Sequence, residues 1–315
     1  MRVKGIRSVP GKEDVKMSGT FRNRCAVALW VGALFCGSIS VQVRAETADE
    51  PLRREKARGV VTGIVVEKGS GERLAALRPD RRFALTSTFK APLCARVWEE
   101  GWGARKGRVA LGGTVDYAPD FSQRRPDDSV TLDEACRATL RTSDNRAANF
   151  VLRLTGGPEA LTAWLRSRGD DVTRLDRFEP DLNRWHPDDP RDTTTPAAAA
   201  ALWRTLDGTL WPEARERWLE ALEANETAPH LLRAEPALKH WRIADRTGAG
   251  RGTRAYHARV ESPSGEVYFV AIHLVVRAAD AGLREKDAVL KERLAEVAAL
   301  LVRDEKKSFS REATK

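Results

Sequence analysis

Residues 84–90 read Ala-Leu-Thr-Ser-Thr-Phe-Lys, and the chain changes character there. Upstream, Val60-Val-Thr-Gly-Ile-Val-Val66 has the β-branched density of a strand. Lys68-Gly-Ser-Gly-Glu-Arg73 reads as a turn, and Leu74 to Leu77 opens a return strand. Downstream, residues 87–100, 132–139, 145–155, 158–168, 196–207 and 212–224 all carry helical spacing, rich in Ala, Leu and Arg. Strand character returns at Trp241–Asp245, Arg254–Glu261 and Val267–Val276, and an amphipathic helix from Gly282 to Arg303 follows. The tail from Lys306 to Lys315 is polar and expected to fray. Strands at both ends with helices between them predict an α/β plus all-α, two-domain fold. An antiparallel sheet is drawn from both ends of the chain and flanked by helices, with a helical domain inserted. The expected ranges are 46–82 with 229–307 for the α/β domain, 83–228 for the helical domain, and 308–315 for a flexible tail.

The 315 residues are enough for a sizeable core, and 42% apolar with 31% charged residues is a globular composition. The formal charge of +9 is concentrated at one end. Residues 1–45 hold eight basic and two acidic residues, which leaves only +3 for the rest. A nucleic-acid footprint belongs on the folded domain, so this distribution argues against such a partner. The same 45 residues read as a cleaved secretory signal. Arg22 and Arg24 precede an apolar run from Cys25 to Cys36, and Val43-Arg44-Ala45 supplies small residues before a cleavage point. That run is too short for a membrane span, and Met17 is an alternative start. The expectation is a periplasmic protein with no membrane association after cleavage. Cys94 and Cys136 then remain, an even pair in an exported chain. A disulfide and two buried thiols are both open readings.

The five histidines, at 186, 230, 240, 257 and 273, show no metal-ligand spacing, so no metal is expected. Gly248-Ala-Gly250-Arg-Gly252 lacks the strand–loop–helix context of a dinucleotide site, and no cofactor is expected either.

Chemistry concentrates elsewhere. Ser87 and Lys90 stand one helical turn apart, so they face the same side. At a helix start, Ser87 would lie among free N–H groups, where a nucleophile and a developing oxyanion are stabilised. A desolvated Lys90 could accept its proton. Such a pair arises about once by chance in a chain of this length, so alone it reads as a helix cap and a surface lysine. Three further pieces change that balance. Ser143-Asp144-Asn145 precedes a helix, and its bland reading is a cap. Arg246-Thr247-Gly248 ends a strand, where Arg246 offers a fixed cation, Thr247 a hydroxyl and Gly248 close backbone approach. Arg177-Phe-Glu-Pro-Asp-Leu-Asn183 sits in an aperiodic stretch from Asp170 to Asp192, of a length that is usually functional.

Together these motifs, STFK at 87–90, SDN at 143–145, RTG at 246–248 and the loop 175–183 with 191–198, resemble the class A serine β-lactamases. The likeness spans about residues 50 to 305. It implies the serine β-lactamase/transpeptidase-like fold with a five-stranded sheet, an Ω-loop over 174–192, and a monomer acting on a small-molecule β-lactam. It also implies roles. Ser87 is the acylated nucleophile. Lys90 and Glu179 are alternative bases for acylation, and Glu179 with Asn183 holds the deacylating water. Ser143 protonates the leaving nitrogen, and Asn145 binds the substrate amide. Arg246, Thr247 and Arg254 receive the substrate carboxylate beside Gly248. The backbone N–H groups of Ser87 and Ala249 form the oxyanion hole. Tyr117 stands at the rim, Arg177 and Asp192 pin the Ω-loop, the Glu179–Pro180 bond is a candidate cis peptide, and Cys94 and Cys136 match a common disulfide.

Two departures stand out. Arg246 replaces the usual Lys, as in members resembling the carbenicillin-hydrolysing branch, and Arg binds carboxylates as a planar fork without losing its proton. The segment Gly250–Arg254 is one residue short. Thr86 and Gly250 are not cysteines, so the extra bridge of one carbapenem-hydrolysing branch is absent. The alternatives are a penicillin-binding D-alanyl-D-alanine peptidase, which lacks the Ω-loop glutamate, and an acylated antibiotic sensor, which usually carries a membrane span and a signalling domain.

Overall fold

The computed structural model describes residues 59–277 and 282–312. The expected leader at 1–45 lies outside the described residues. In chain order the strands are β1 (Val60–Lys68), β2 (Arg73–Leu77), β3 (Phe83–Ala84), β4 (Val109–Ala110), β5 (Ser129–Val130), β6 (Thr193–Thr194), β7 (Arg242–Gly250), β8 (Thr253–Glu261) and β9 (Val267–Val276). The α-helices are α1 (Lys90–Glu99), α2 (Trp102–Lys106), α3 (Leu132–Arg141), α4 (Asn145–Leu154), α5 (Gly157–Ser167), α6 (Pro196–Thr209), α7 (Pro212–Glu223) and α8 (Leu283–Glu312).

The main sheet is antiparallel, with strand order β2-β1-β9-β8-β7. It is the five-stranded sheet drawn from both ends of the chain that the strand pattern and the resemblance together imply. Its central strands are buried on both faces, so β9 reads as a nearly continuous apolar run. One face, with Ile64, Val66, Tyr256, Val260, Val270 and Ile272, packs against Leu290, Leu294, Val297 and Leu301 of α8. The other, with Val65, Ala244, Phe269 and Ala271, closes a larger core built from the helices between β3 and β7. Arg246, His257 and His273 stand on that second face: Arg246 pairs with His257 across β7 and β8, and His273 lies two residues along β9 from Ala271, the register partner of His257.

Local signals explain the helix starts that carry the site. Thr131 and Glu134 form a reciprocal capping box on α3. Asp144 caps α4 through Ala147 N, and Thr195 caps α6 ahead of Pro196.

Three expectations need correction. Ser87 does not open the α-helix. Thr86–Phe89 is a 3₁₀ turn, and α1 starts at Lys90. The terminal helix does not stop at Arg303, because α8 runs to Glu312; polar composition does not break a helix whose earlier turns are already packed. The disulfide is not formed. Cys94 and Cys136 are free thiols buried where α1 meets α3, with Cys94 Sγ donating weakly to the Cys136 carbonyl at 3.8 Å. Burial and the neighbouring sulfur hold the Cys136 thiol well above its usual range.

Candidate active site

The nucleophile turn is fixed from three sides. Thr86 adopts a positive φ of 46°, and its hydroxyl donates to Leu85 O at 2.6 Å. Thr88 Oγ1 donates to the same carbonyl at 2.7 Å. Leu85 N donates to Asp192 O at 2.9 Å, which ties the turn to the end of the long loop. Strand β7 closes the fourth side. A Cβ on Gly248 would fall 1.9 Å from Thr86 Oγ1 and 3.0 Å from Ser87 N, so only glycine permits this approach.

Lys90 is the hub. Its Nζ lies within hydrogen-bond distance of Ser87 Oγ at 2.9 Å, Ser143 Oγ at 3.1 Å, Ser143 O at 2.9 Å and Asn145 Oδ1 at 2.6 Å, one acceptor more than its three N–H groups can serve at once. Glu179 Oε1 lies 3.2 Å away. Burial lowers the Lys90 pKa to about 8. The Glu179 carboxylate opposes this shift and Arg246 reinforces it.

The SDN segment serves capping and site geometry together. Asp144 caps α4 and also accepts from Asp120 N and Phe121 N, while Ser143 has a positive φ of 67°. Asn145 donates through Nδ2 to Asp116 O at 3.0 Å, and its backbone N–H donates to Tyr117 O at 2.9 Å. Tyr117 itself is exposed.

The long loop delivers Glu179 to within 3.4 Å of Ser87 Oγ. The Glu179–Pro180 peptide is cis. Asn183 Nδ2 donates to Glu179 Oε2 at 2.6 Å, and Asn183 Oδ1 is buried without a hydrogen-bond partner among the described residues. Arg177 Nε donates to Asp192 Oδ2 at 2.5 Å, and Asp192 Oδ1 accepts from the backbone N–H of Asp176 and Arg177.

Arg246 is fully buried. It donates to Ser87 O at 3.2 Å and Leu140 O at 2.9 Å, and its Nη2 has no partner among the described residues. Burial lowers its pKa to about 10. Thr247 shares a 2.7 Å hydrogen bond with Thr227. Ala249 pairs with Arg254 across β7 and β8. Arg254 donates to Asp287 Oδ1 at 2.6 Å and Gly248 O at 3.1 Å.

Several residues in this network escaped the sequence reading. Asn149 clamps the Glu179 backbone, donating to its carbonyl at 2.8 Å and accepting from its N–H at 3.0 Å. It sits one turn after Asn145, so helical spacing was an available signal. Arg146, fully buried, holds the loop before Tyr117 and beyond it through the carbonyls of Gly112, Gly113, Phe121 and Arg124. Asp287 and Thr227 carried no local signal, since their partners are far away in sequence. Among the described residues, no group of His, Cys, Asp and Glu is arranged to hold a metal ion.

A serine hydroxyl touching a buried lysine of lowered pKa, beside a carboxylate from a separate loop, is a constellation suited to nucleophilic chemistry without histidine. The comparisons narrow the class. Residues 45–293 match the model of the "Beta-lactamase enzyme family". The β-lactamase CARB-3 of Pseudomonas aeruginosa is 41% identical over 224 residues, covering 67% of this chain and 75% of that protein. A β-lactamase of Rhodobacter capsulatus is 34% identical over 290 residues, covering 88% and 96%. An ancestral class A β-lactamase superposes with a TM-score of 0.73 at 41% identity, covering 82% of this chain and 99% of that one. The chromosome-encoded β-lactamase of Vibrio parahaemolyticus gives 0.73 at 33%, covering 82% and 98%. The chain belongs to the β-lactamase enzyme family, and its neighbours place it in class A.

Proposed function

We propose that Ser87 attacks the β-lactam carbonyl and carries the acyl group, and that this turnover confers resistance to penicillin- and cephalosporin-type antibiotics. The observation that carries the reading is the placement of Lys90 Nζ, in contact with both Ser87 Oγ and Ser143 Oγ and 3.2 Å from Glu179. With a pKa of about 8, roughly one tenth of Lys90 is neutral at pH 7. The neutral amine takes the Ser87 proton as the C–O bond forms. The N–H groups of Ser87 and Ala249 stabilise the oxyanion, an effect worth about 3 kcal/mol per donor in comparable sites. Lys90 returns a proton through Ser143 to the lactam nitrogen as the C–N bond breaks. Glu179 and Asn183 then hold a water. Glu179 takes its proton as the hydroxide adds to the ester carbonyl, and that proton returns to Ser87 Oγ by way of Lys90 as the ester C–O bond breaks and Ser87 leaves as the alcohol. The unpaired Asn183 Oδ1 supports this assignment.

Asn145 holds the substrate amide, and Tyr117 packs at the rim. Arg246, Thr247 and Arg254 receive the substrate carboxylate. No carboxylate lies within ion-pair distance of Arg246 among the described residues, so its charge is free for an anionic substrate. Residues 1–45 export the chain to the periplasm as a monomer, and the domain division falls near residues 83 and 228. The test is intact-mass spectrometry with one penicillin and one cephalosporin. Wild type should turn over both, and Ser87→Ala should neither hydrolyse nor gain mass. Turnover by Ser87→Ala near the wild-type rate overturns the assignment.

A further inference from the structure

His230 lies in the connection between α7 and β7, half-exposed, outside every motif of the site. Its Nε2 stands 3.0 Å from Asp287 Oδ2. The other oxygen of the same carboxylate, Oδ1, accepts from Arg254 Nε at 2.6 Å. Asp287 is therefore held from two sides by one side chain each. Arg254 and Asp287 are both buried, and Arg254 commits Nη1 to Gly248 O at 3.1 Å. Its Nη2 takes part in neither bond.

We propose that His230 is a positioning residue for the substrate-carboxylate arm. By occupying Asp287 Oδ2, it keeps Asp287 on a single nitrogen of Arg254 and leaves Arg254 Nη2 to the substrate. The physical alternative is well defined. A carboxylate beside a guanidinium favours a bidentate fork, with both oxygens on two parallel N–H groups. If Oδ2 is released, Asp287 can rotate into that fork and consume Nη2. A half-exposed His–Asp pair adds little to stability, so its effect is on geometry rather than on folding.

The same connecting segment buttresses the site at a second point. Asn225 Nδ2 donates to Asp245 Oδ1 at 2.7 Å, and Asn225 Oδ1 accepts from Thr227 Oγ1 at 2.7 Å. Thr227 in turn bonds Thr247. One short stretch thus meets two of the three side chains read as carboxylate receivers, directly at Thr247 and through Asp287 at Arg254. Lys286, the residue before Asp287, donates to Gly250 O at 2.8 Å, and the side-chain bonds to Asp287 come from Arg254 and His230.

The inference rests on the reading of Arg254 as a carboxylate receiver, and the experiment separates the two. Steady-state KM and kcat are measured for wild type, His230→Ala, His230→Gln and Arg254→Ala, with a penicillin and with its methyl ester. The ester lacks the charge that Arg254 would meet. The expected result for His230→Ala is a KM for the acid raised about three- to tenfold, kcat within about twofold of wild type, and no change for the ester. Gln places an amide N–H near the position of Nε2, so His230→Gln should restore the wild-type KM. Unchanged KM in His230→Ala, an equal rise for acid and ester, or failure of Gln to rescue overturns the proposal. If Arg254→Ala discriminates acid from ester but His230→Ala does not, only the role of His230 fails. If Arg254→Ala treats both alike, the carboxylate reading itself fails, and this inference with it.

Discussion

Glu179 Oε1 and Ser87 Oγ stand 3.4 Å apart although 92 positions separate them in the chain. Lys90 Nζ lies within hydrogen-bond reach of both, at 3.2 and 2.9 Å. A single solvent molecule can touch the carboxylate and an acyl group on the serine together, which is the geometry that deacylation requires.

The lowered pKa of Lys90 makes acylation pH-dependent. The neutral amine accumulates as pH rises through about 8, so the acylation rate constant should climb across that range. Pre-steady-state stopped-flow with a chromogenic cephalosporin measures it. Lys90→Arg keeps the charge but cannot deprotonate, and should lower acylation by about 10²–10⁴. A flat profile from pH 6 to 9 would exclude Lys90 as the base.

Asp192 holds the long loop by three bonds at once, from Arg177 Nε and from the N–H groups of Asp176 and Arg177. Asp192→Ala leaves a part-buried guanidinium and two amides unmatched. It should destabilise by about 3 kcal/mol and slow deacylation more than acylation, since Glu179 travels with the loop. Urea unfolding and the two rate constants test this. Equal slowing of both steps would show that the loop does not act through Glu179.

Gly248→Ala should be severe for its size. The added methyl meets Thr86 Oγ1 at 1.9 Å, and that hydroxyl is already committed to Leu85 O. A loss of about 1–3 kcal/mol is expected, with activity falling further because the clash displaces Ser87. Thermal unfolding and kcat/KM report it. A wild-type Tm would mean that β7 and the nucleophile turn are less closely apposed.

A buried histidine pair should lower stability as the pH falls. His257 Nε2 and His273 Nε2 share a 2.8 Å hydrogen bond beneath Phe83 and Trp203, with Arg246 facing His257 across the β7–β8 register. Burial pushes His273 down to about 4, and burial with the neighbouring imidazole pushes His257 down as well. Both are neutral when folded, whereas the unfolded chain binds protons below about 6.5. Their contribution is full above that pH and is lost as pH falls toward 4. At pH 5, His273 alone should account for about 2 kcal/mol. Denaturant unfolding at pH 7.5 and 5 measures the loss, and His273→Gln should shrink it. An unchanged pH slope in that variant would remove the pair as its cause.

The site was legible in sequence where its chemistry is local. Ser87 and Lys90 lie one turn apart, so spacing put them on one surface, while Ser143 with Asn145 and Glu179 with Asn183 were short local motifs whose pairing came from the family resemblance. The strand and helix order was legible because β1 and β9 are dense in apolar and β-branched residues, while the central segments keep helical period. Long-range partners were not legible. Asp287, Thr227, His230 and the two buried histidines owe their roles to strand register and to helix docking, which leave no mark in adjacent residues. The 3₁₀ turn was hidden too, because the positive φ of Thr86 is imposed by β7 and the long loop rather than by its own preference.

The most direct test of the account is the fate of the acyl-enzyme in Glu179→Gln. With Lys90 still in contact with Ser87, acylation should proceed, while the hydrolytic water loses its base. Intact-mass spectrometry after mixing with a penicillin should show near-complete conversion to a species heavier by one intact antibiotic, persisting long after wild type has cleared it. Rapid turnover by Glu179→Gln without an accumulating adduct would contradict the division of labour between Lys90 and Glu179.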